Sequence, residues 1–217
     1  MILVNFKTYQ QATGEAALKL AQICQEVSLT EKIEIIPVVQ ATDLYLVSQA
    51  DIEVWAQGMD DVDFGSNTGK LLPQAIMTAG ASGVILNHSE NKIAPRMTSS
   101  LVDRLRKINK NFKILICCET LDEALGFVDC APDMIAYEPP ELIGGDVSVS
   151  KDKPEIISDF VNHLKTIPVL VGAGIHNSLD VAKALSLGAE GVLVSSGVVL
   201  NSNPKGVLLD LASAFKK

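Results

Sequence analysis

The stretch Val169-Leu170-Val171-Gly172-Ala173-Gly174-Ile175-His176-Asn177-Ser178-Leu179-Asp180-Val181-Ala182-Lys183-Ala184-Leu185-Ser186-Leu187-Gly188-Ala189-Glu190-Gly191-Val192-Leu193-Val194 carries one complete structural period. Val169–Val171 and Gly191–Val194 are short and apolar at nearly every position, the pattern of strands buried on both faces. Between them, Asn177-Ser178 is a helix start signal, Val181, Ala184, Leu185 and Leu187 recur at helical spacing, and Gly188 is a stop. A strand, a helix and a second strand in that order predict a parallel pair joined by a crossover helix.

Outward from this unit the same period recurs along the chain. Ile2–Phe6, Ile33–Val38, Glu53–Gln57, Gly83–Leu86, Lys113–Cys117 and Met134–Tyr137 bring the number of apolar runs to eight. Helical spacing fills the intervals: Ala17, Leu20, Ala21, Ile23 and Cys24 within Ala16–Val27, then Leu101, Leu105 and Ile108, then Ile156, Ile157, Phe160, Val161 and Leu164. Thr13-Gly14-Glu15, Pro154 and Pro204 mark further starts, Pro95 precedes a helix expected over Thr98–Lys110, and Gly80 marks a stop. This alternation predicts an α/β fold, either a closed (β/α)8 barrel or an open doubly wound sheet. Eight is the number that closes, and no linker divides the chain, so the expectation is one barrel domain over residues 1–217. A Gly-x-Gly-x-x-Gly fingerprint after the first strand is absent, which disfavours a nicotinamide cofactor.

Composition narrows the function. The 217 residues are 47 % hydrophobic and 20 % charged, enough for a sizeable core and unlike a disordered chain. A formal net charge of −8 argues against a nucleic-acid partner, which needs a basic face. No apolar run approaches a membrane span, and the start Met1-Ile2-Leu3-Val4-Asn5-Phe6-Lys7 lacks the pattern of a signal peptide, so the expected setting is a cytoplasm, with no membrane partner. Cys24, Cys117, Cys118 and Cys130 form no CxxC pair, and with three histidines a metal site is not expected; the cysteines read as reduced core thiols.

In such a barrel the chemistry collects where strands end. Asn5 and Lys7 come after the first run, Gln57 after the third, Asn87-His88-Ser89-Glu90 after the fourth, Cys118-Glu119 after the fifth and Glu138-Pro139-Pro140-Glu141 after the sixth. Gly172-Ala173-Gly174 and Ser195-Ser196-Gly197 end the seventh and eighth, where small residues let backbone N–H groups approach a phosphate. Glu138 is held by the two prolines after it, a rigid mount for a carboxylate base. His88 is placed at the start of a short helix capped by Ser89, a position that keeps the ring neutral and able to donate to a carbonyl. Leu142-Ile143-Gly144-Gly145-Asp146 has the apolar tip and glycine pair of a lid. Each feature alone also has a bland reading: two tight turns, a surface Glu, a His satisfied by backbone, a surface Lys. His163 and His176 are placed in that bland class. Together, a base, a neutral electrophile, a cation and a phosphate cradle suit proton transfer next to a carbonyl in a small phosphate ester.

These segments resemble the triosephosphate isomerase family in its short archaeal-type form. Asn5-Phe6-Lys7-Thr8-Tyr9 is similar to its opening motif, and Gly65-Ser66-Asn67-Thr68-Gly69 to its third-loop motif. Leu86–Asn91 and Ala136–Gly144 resemble its histidine and base motifs, and the two glycine-serine segments its phosphate loops. The resemblance implies interconversion of dihydroxyacetone phosphate and glyceraldehyde 3-phosphate without a cofactor. It also implies Glu138 as base, His88 and Lys7 as catalytic partners, and Asn5, Lys7, Ile143, Gly174, Ser195 and Ser196 as substrate contacts. It implies a lid over Glu141–Val147 and a homodimer or homotetramer, with Thr68 reaching a partner's lysine. Two departures stand out: Gly144-Gly145-Asp146 where Thr-Gly is common, and Asn67 where many members have His. The rival readings are another phosphate-binding (β/α)8 isomerase or lyase, which would more often need a Schiff-base lysine or a Lys–Asp pair on the rim, and a non-catalytic phosphate-ester binder, which would have no use for Glu138 and His88 together.

Overall fold

Strands buried on both faces need a layer of side chains on each side, and the architecture supplies both. The structure is a computed structural model that describes residues 1–139 and 154–216. Strands β1 (Ile2–Asn5), β2 (Ile35–Val39), β3 (Val54–Ala56), β4 (Ala81–Leu86), β5 (Lys113–Cys118), β6 (Met134–Tyr137), β7 (Val169–Val171) and β8 (Gly191–Val194) run in chain order and close into a barrel. Every neighbouring pair is parallel, and Ile2, Leu3 and Val4 of β1 face Val192, Leu193 and Val194 of β8 across the closing seam. The closed barrel is therefore observed and the open sheet is not.

Alternation along each strand sorts the core into two layers. Leu115 and Cys117 of β5 join Leu3, Ile36, Trp55 and Leu170 in the barrel interior, while Ile114, Ile116 and Cys118 belong to the larger cluster shared with the helices. Adjacent Cys117 and Cys118 thus face opposite layers. Cys24, Cys117 and Cys118 are buried free thiols, whereas Cys130 is half-buried, with its Sγ 3.0 Å from Ser99 Oγ. Truncating a large interior side chain to Ala would cost about 2–5 kcal/mol, because close-packed neighbours relax only in part.

The helices obey their signals with shifted ends. The first runs Glu15–Glu31 instead of Ala16–Val27, closed by a left-handed Lys32 whose N–H donates to Ser28 O. Pro95 opens Pro95–Ile108, where Leu101 and Leu105 are buried, but Ile108 in the last turn is 36 % exposed. Pro154 opens Pro154–Leu164, Asn177 caps Ser178–Ser186 by accepting from Leu179 and Asp180 N–H, and Pro204 opens Pro204–Ser213. Strand ends at one rim and helix starts beside them leave the polar termini of the strands facing a common opening.

Candidate active site

At the end of β1 the chain turns sharply at Lys7, a non-glycine residue with φ +47°. Its N–H donates to Asn5 Oδ1 at 3.0 Å, and Gln57 Nε2 donates to Lys7 O at 2.9 Å and Val38 O at 3.2 Å. The strain of a left-handed lysine is thereby held by bonds from neighbouring strand ends. The Lys7 side chain is 15 % exposed and its Nζ lies 2.6 Å from Glu90 Oε1. A cation at that depth requires such a partner.

The His88 segment departs from expectation. Ser89 caps no helix: Asn91 N–H donates to His88 O at 2.8 Å, closing a turn, and the buried Ser89 hydroxyl has no partner among the described residues. Glu90 N–H donates to His88 Nδ1 at 3.1 Å, which assigns the ring proton to Nε2. Burial lowers the imidazolium's pKa, the Lys7 and Lys92 ammonium groups lower it further, and Glu90 opposes them. The ring is kept neutral by burial and cations, not by a helix terminus. Its Nε2 lies 3.4 Å from Glu138 Oε1.

Glu138 comes directly after β6, with its N–H donating to Cys118 O at 2.9 Å. The side chain is buried to 2 % exposure for the residue, and Oε2 is buried without a hydrogen-bond partner among the described residues. Burial pushes its carboxyl up to about 7, against the pull of the Cys117 thiol, the Lys7 ammonium and the Ser89 amide. The carboxylate fits only because Gly172 has no side chain: a Cβ there would come 2.6 Å from Glu138 Cγ.

Gly174 (φ +64°) and the start of the helix Ser196–Val199 complete the rim. The first N–H groups of that helix have no helical carbonyl behind them. Ser195 precedes it without capping through its side chain, and its buried hydroxyl has no partner among the described residues. A cavity of about 370 Å³ joins Lys7, His88, Glu138, Gly174, Ser195 and Ser196, with Asn5 also in its wall. Ile143 and the expected lid Glu141–Val147 lie outside the described residues.

Sequence reasoning left His176 and Cys117 out of the site, and it placed Glu90 and Gln57 on the rim without assigning them a role. His176 lines the cavity, and its N–H donates to Asp180 Oδ2 at 3.1 Å. Its place two residues after Gly174 was the available signal. Glu90 holds Lys7, Gln57 holds its carbonyl, and Cys117 lies under Glu138. His163 behaves as expected, exposed with Nδ1 2.8 Å from Asp159 O. No cluster of three or more His, Cys, Asp or Glu side chains among the described residues could hold a metal ion, and no described helix is long and apolar enough to cross a membrane.

A closed parallel barrel with a carboxyl, an imidazole, an ammonium and small-residue loops on one rim places the chain in the TIM-barrel class, whose active sites lie at that rim. The family model for triosephosphate isomerase matches residues 1–214. Triosephosphate isomerase of Methanothermus fervidus is 42 % identical, with 97 % of this chain and 96 % of that protein covered. The triosephosphate isomerases of Methanosarcina mazei and Thermoplasma volcanium are 40 % and 39 % identical; the first covers 97 % of this chain and 96 % of its own length, the second 94 % of each. The chain belongs to the triosephosphate isomerase family and is an isomerase.

Proposed function

We propose that this barrel interconverts dihydroxyacetone phosphate and D-glyceraldehyde 3-phosphate through an enediolate, with Glu138 as base and His88 as electrophile. Glu138 takes a proton from C1 of the ketose, the C–H electron pair becomes the C1–C2 double bond, and the carbonyl electrons move onto O2. His88 Nε2–H stabilises and protonates O2, then recovers a proton from O1, and Glu138 returns its proton to C2. Each group ends as it began, and no cofactor is consumed. Lys7 and Asn5 bind substrate and the developing negative charge. Gly174, Ser195, Ser196 and Ile143 hold the phosphate, largely through main-chain N–H groups.

The observation that carries this reading is the approach of Glu138 and His88 at 3.4 Å beside Lys7 in one cavity. A carboxyl pushed up to about 7 is matched to abstracting a carbon-bound proton near neutral pH. Lys7 is the one lysine among the described residues of that cavity wall, and its Glu90 partner makes it a poor Schiff-base nucleophile, which disfavours an aldolase. The working unit is a homodimer or homotetramer in a cytoplasm. A cavity of about 330 Å³ on the other side of Lys7, together with Phe64 at 74 % exposure, supports insertion of a partner's third loop.

The test is to incubate the protein with dihydroxyacetone phosphate in deuterated water. The expected result is glyceraldehyde 3-phosphate carrying deuterium at C2. Absence of both conversion and label overturns the proposal.

A further inference from the structure

The chain leaves β4 through Asn87, which sits at φ +58° and is 2 % exposed. Asparagine visits that left-handed region when its side chain can bond locally. Here both polar atoms of the side chain are used: Nδ2 donates to Cys117 O at 2.9 Å and to Glu123 Oε1 at 2.8 Å, and Oδ1 accepts from Ile93 N–H at 3.0 Å. The next residue is His88, so the torsion fixed at Asn87 sets where the imidazole points.

Glu123 lies in the helix Leu121–Leu125 and is not part of the cavity wall. Its Oε1 accepts from Lys92 Nζ at 2.8 Å as well as from Asn87, and its Oε2 accepts from Glu119 N–H at 2.8 Å. Lys92 also reaches Glu119 Oε1 at 3.2 Å. Burial alone would raise the Glu123 carboxyl, but Lys92, the Glu119 amide and Asn87 hold it below the ordinary value. A single anion therefore ties the loop after β4, the end of β5 and the helix beyond it. Cys117 belongs to the same web: its carbonyl receives Asn87 and its thiol lies beside Glu138.

We propose that Glu123 is a positioning residue for His88, acting through the bond between its Oε1 and Asn87 Nδ2. The inference rests on the proposed isomerisation for its kinetic consequence, but not for its structural one. Asn87 and Lys92 donate to Oε1 and the Glu119 N–H to Oε2, so Glu123→Leu removes every one of these acceptors with little change in side-chain length. The turn at Asn87 relaxes, Glu90 N–H loses His88 Nδ1, and the ring loses its fixed tautomer.

For Glu123→Leu the expected result is a fall in kcat of about 10- to 100-fold, as for a small misplacement of a reacting group. KM and the affinity for inorganic phosphate stay within about twofold, because the phosphate loops are untouched. Ring ¹⁵N resonances of His88, assigned by their loss in His88→Ala, move from a single Nε2–H tautomer toward a mixture. Should Glu123→Leu fail to fold, Asn87→Gly accepts φ +58° without strain while deleting the bond to Glu123, and is expected to show the same kcat-only loss and ring mixing. Unchanged His88 resonances in the folded variant overturn the inference, as does an unchanged kcat. If the unmodified protein does not isomerise triose phosphates, the proposed function fails while the ring resonances still decide whether Glu123 positions His88.

Discussion

The two rims of the barrel treat a carboxylate in opposite ways. At the amino rim, Asp133 is fully employed: Oδ2 accepts from Arg106 Nη2 at 2.7 Å and from Ile114 N–H at 2.9 Å, and Oδ1 lies 3.3 Å from Lys113 Nζ. At the carboxyl rim, Glu138 is more deeply buried, yet Oε2 has no hydrogen-bond partner among the described residues, and the His88 ring nitrogen 3.4 Å from Oε1 is a neutral donor. A buried carboxyl left short of partners destabilises the fold, and one supplied with them supports it. Asp133 binds the chain together, whereas Glu138 keeps an acceptor oxygen that the described residues leave unused.

Removing each carboxylate should expose that contrast in opposite directions. Glu138→Gln is expected to lower turnover by about 10²–10⁴, the range for loss of a general base, measured in a coupled assay with phosphate-ester binding checked separately. Turnover close to that of the unmodified chain would take Glu138 out of its role.

The next effect is on stability against pH. The Glu138 carboxyl ionises at an ordinary value of 4.5 in the unfolded chain and at about 7 in the folded one. Between those values the folded state binds the extra proton, so stability is fullest below 4.5 and is lost as pH rises through 7. The whole loss is about 3 kcal/mol, from the gap between the two ionisations at about 1.36 kcal/mol per pH unit. Denaturant titrations at pH 5 and pH 8 should show it, and Glu138→Gln should abolish the difference. In the proposed reaction the deprotonated carboxylate is the active form, so kcat/KM is expected to rise over the same interval. A flat stability profile would contradict the burial argument.

The smallest effect belongs to the other rim. Asp133→Asn is expected to cost about 1–3 kcal/mol, as for breaking a partly buried hydrogen-bonded charge, while leaving kcat as it was. Thermal unfolding recorded beside the activity assay separates the two, and a loss of kcat in the folded variant would mean the rims are coupled.

Much of this division was legible in the sequence. The eight strands were visible because burial on both faces leaves an apolar residue at nearly every position. Helix ends were less so: the turn beyond Val27 has Leu29 at 74 % exposure among polar neighbours and carries no periodic signal. Lys7, His88 and Glu138 could be found from the polar residues that close each apolar run. Their partners could not, since Glu90 meets Lys7 across a separation of 83 residues and Asn87 meets Glu123 across 36. Pairing of β4 with β5 brings the second pair together, and the first meets across the barrel mouth from strands that are not neighbours. The helix expected at Ser89 failed locally, because Glu90 N–H is taken by His88 Nδ1 and Asn91 N–H closes a turn onto His88 O.

The bare α-carbon at Gly172 carries a genetic consequence. Any substitution there, even by alanine, displaces the Glu138 carboxylate, the proposed proton acceptor, from its seat while the strand beneath remains intact. In a saturation library such clones would accumulate as properly folded barrels that fail selection for catalysis, a signature that separates position 172 from the interior sites whose loss is first seen as aggregation.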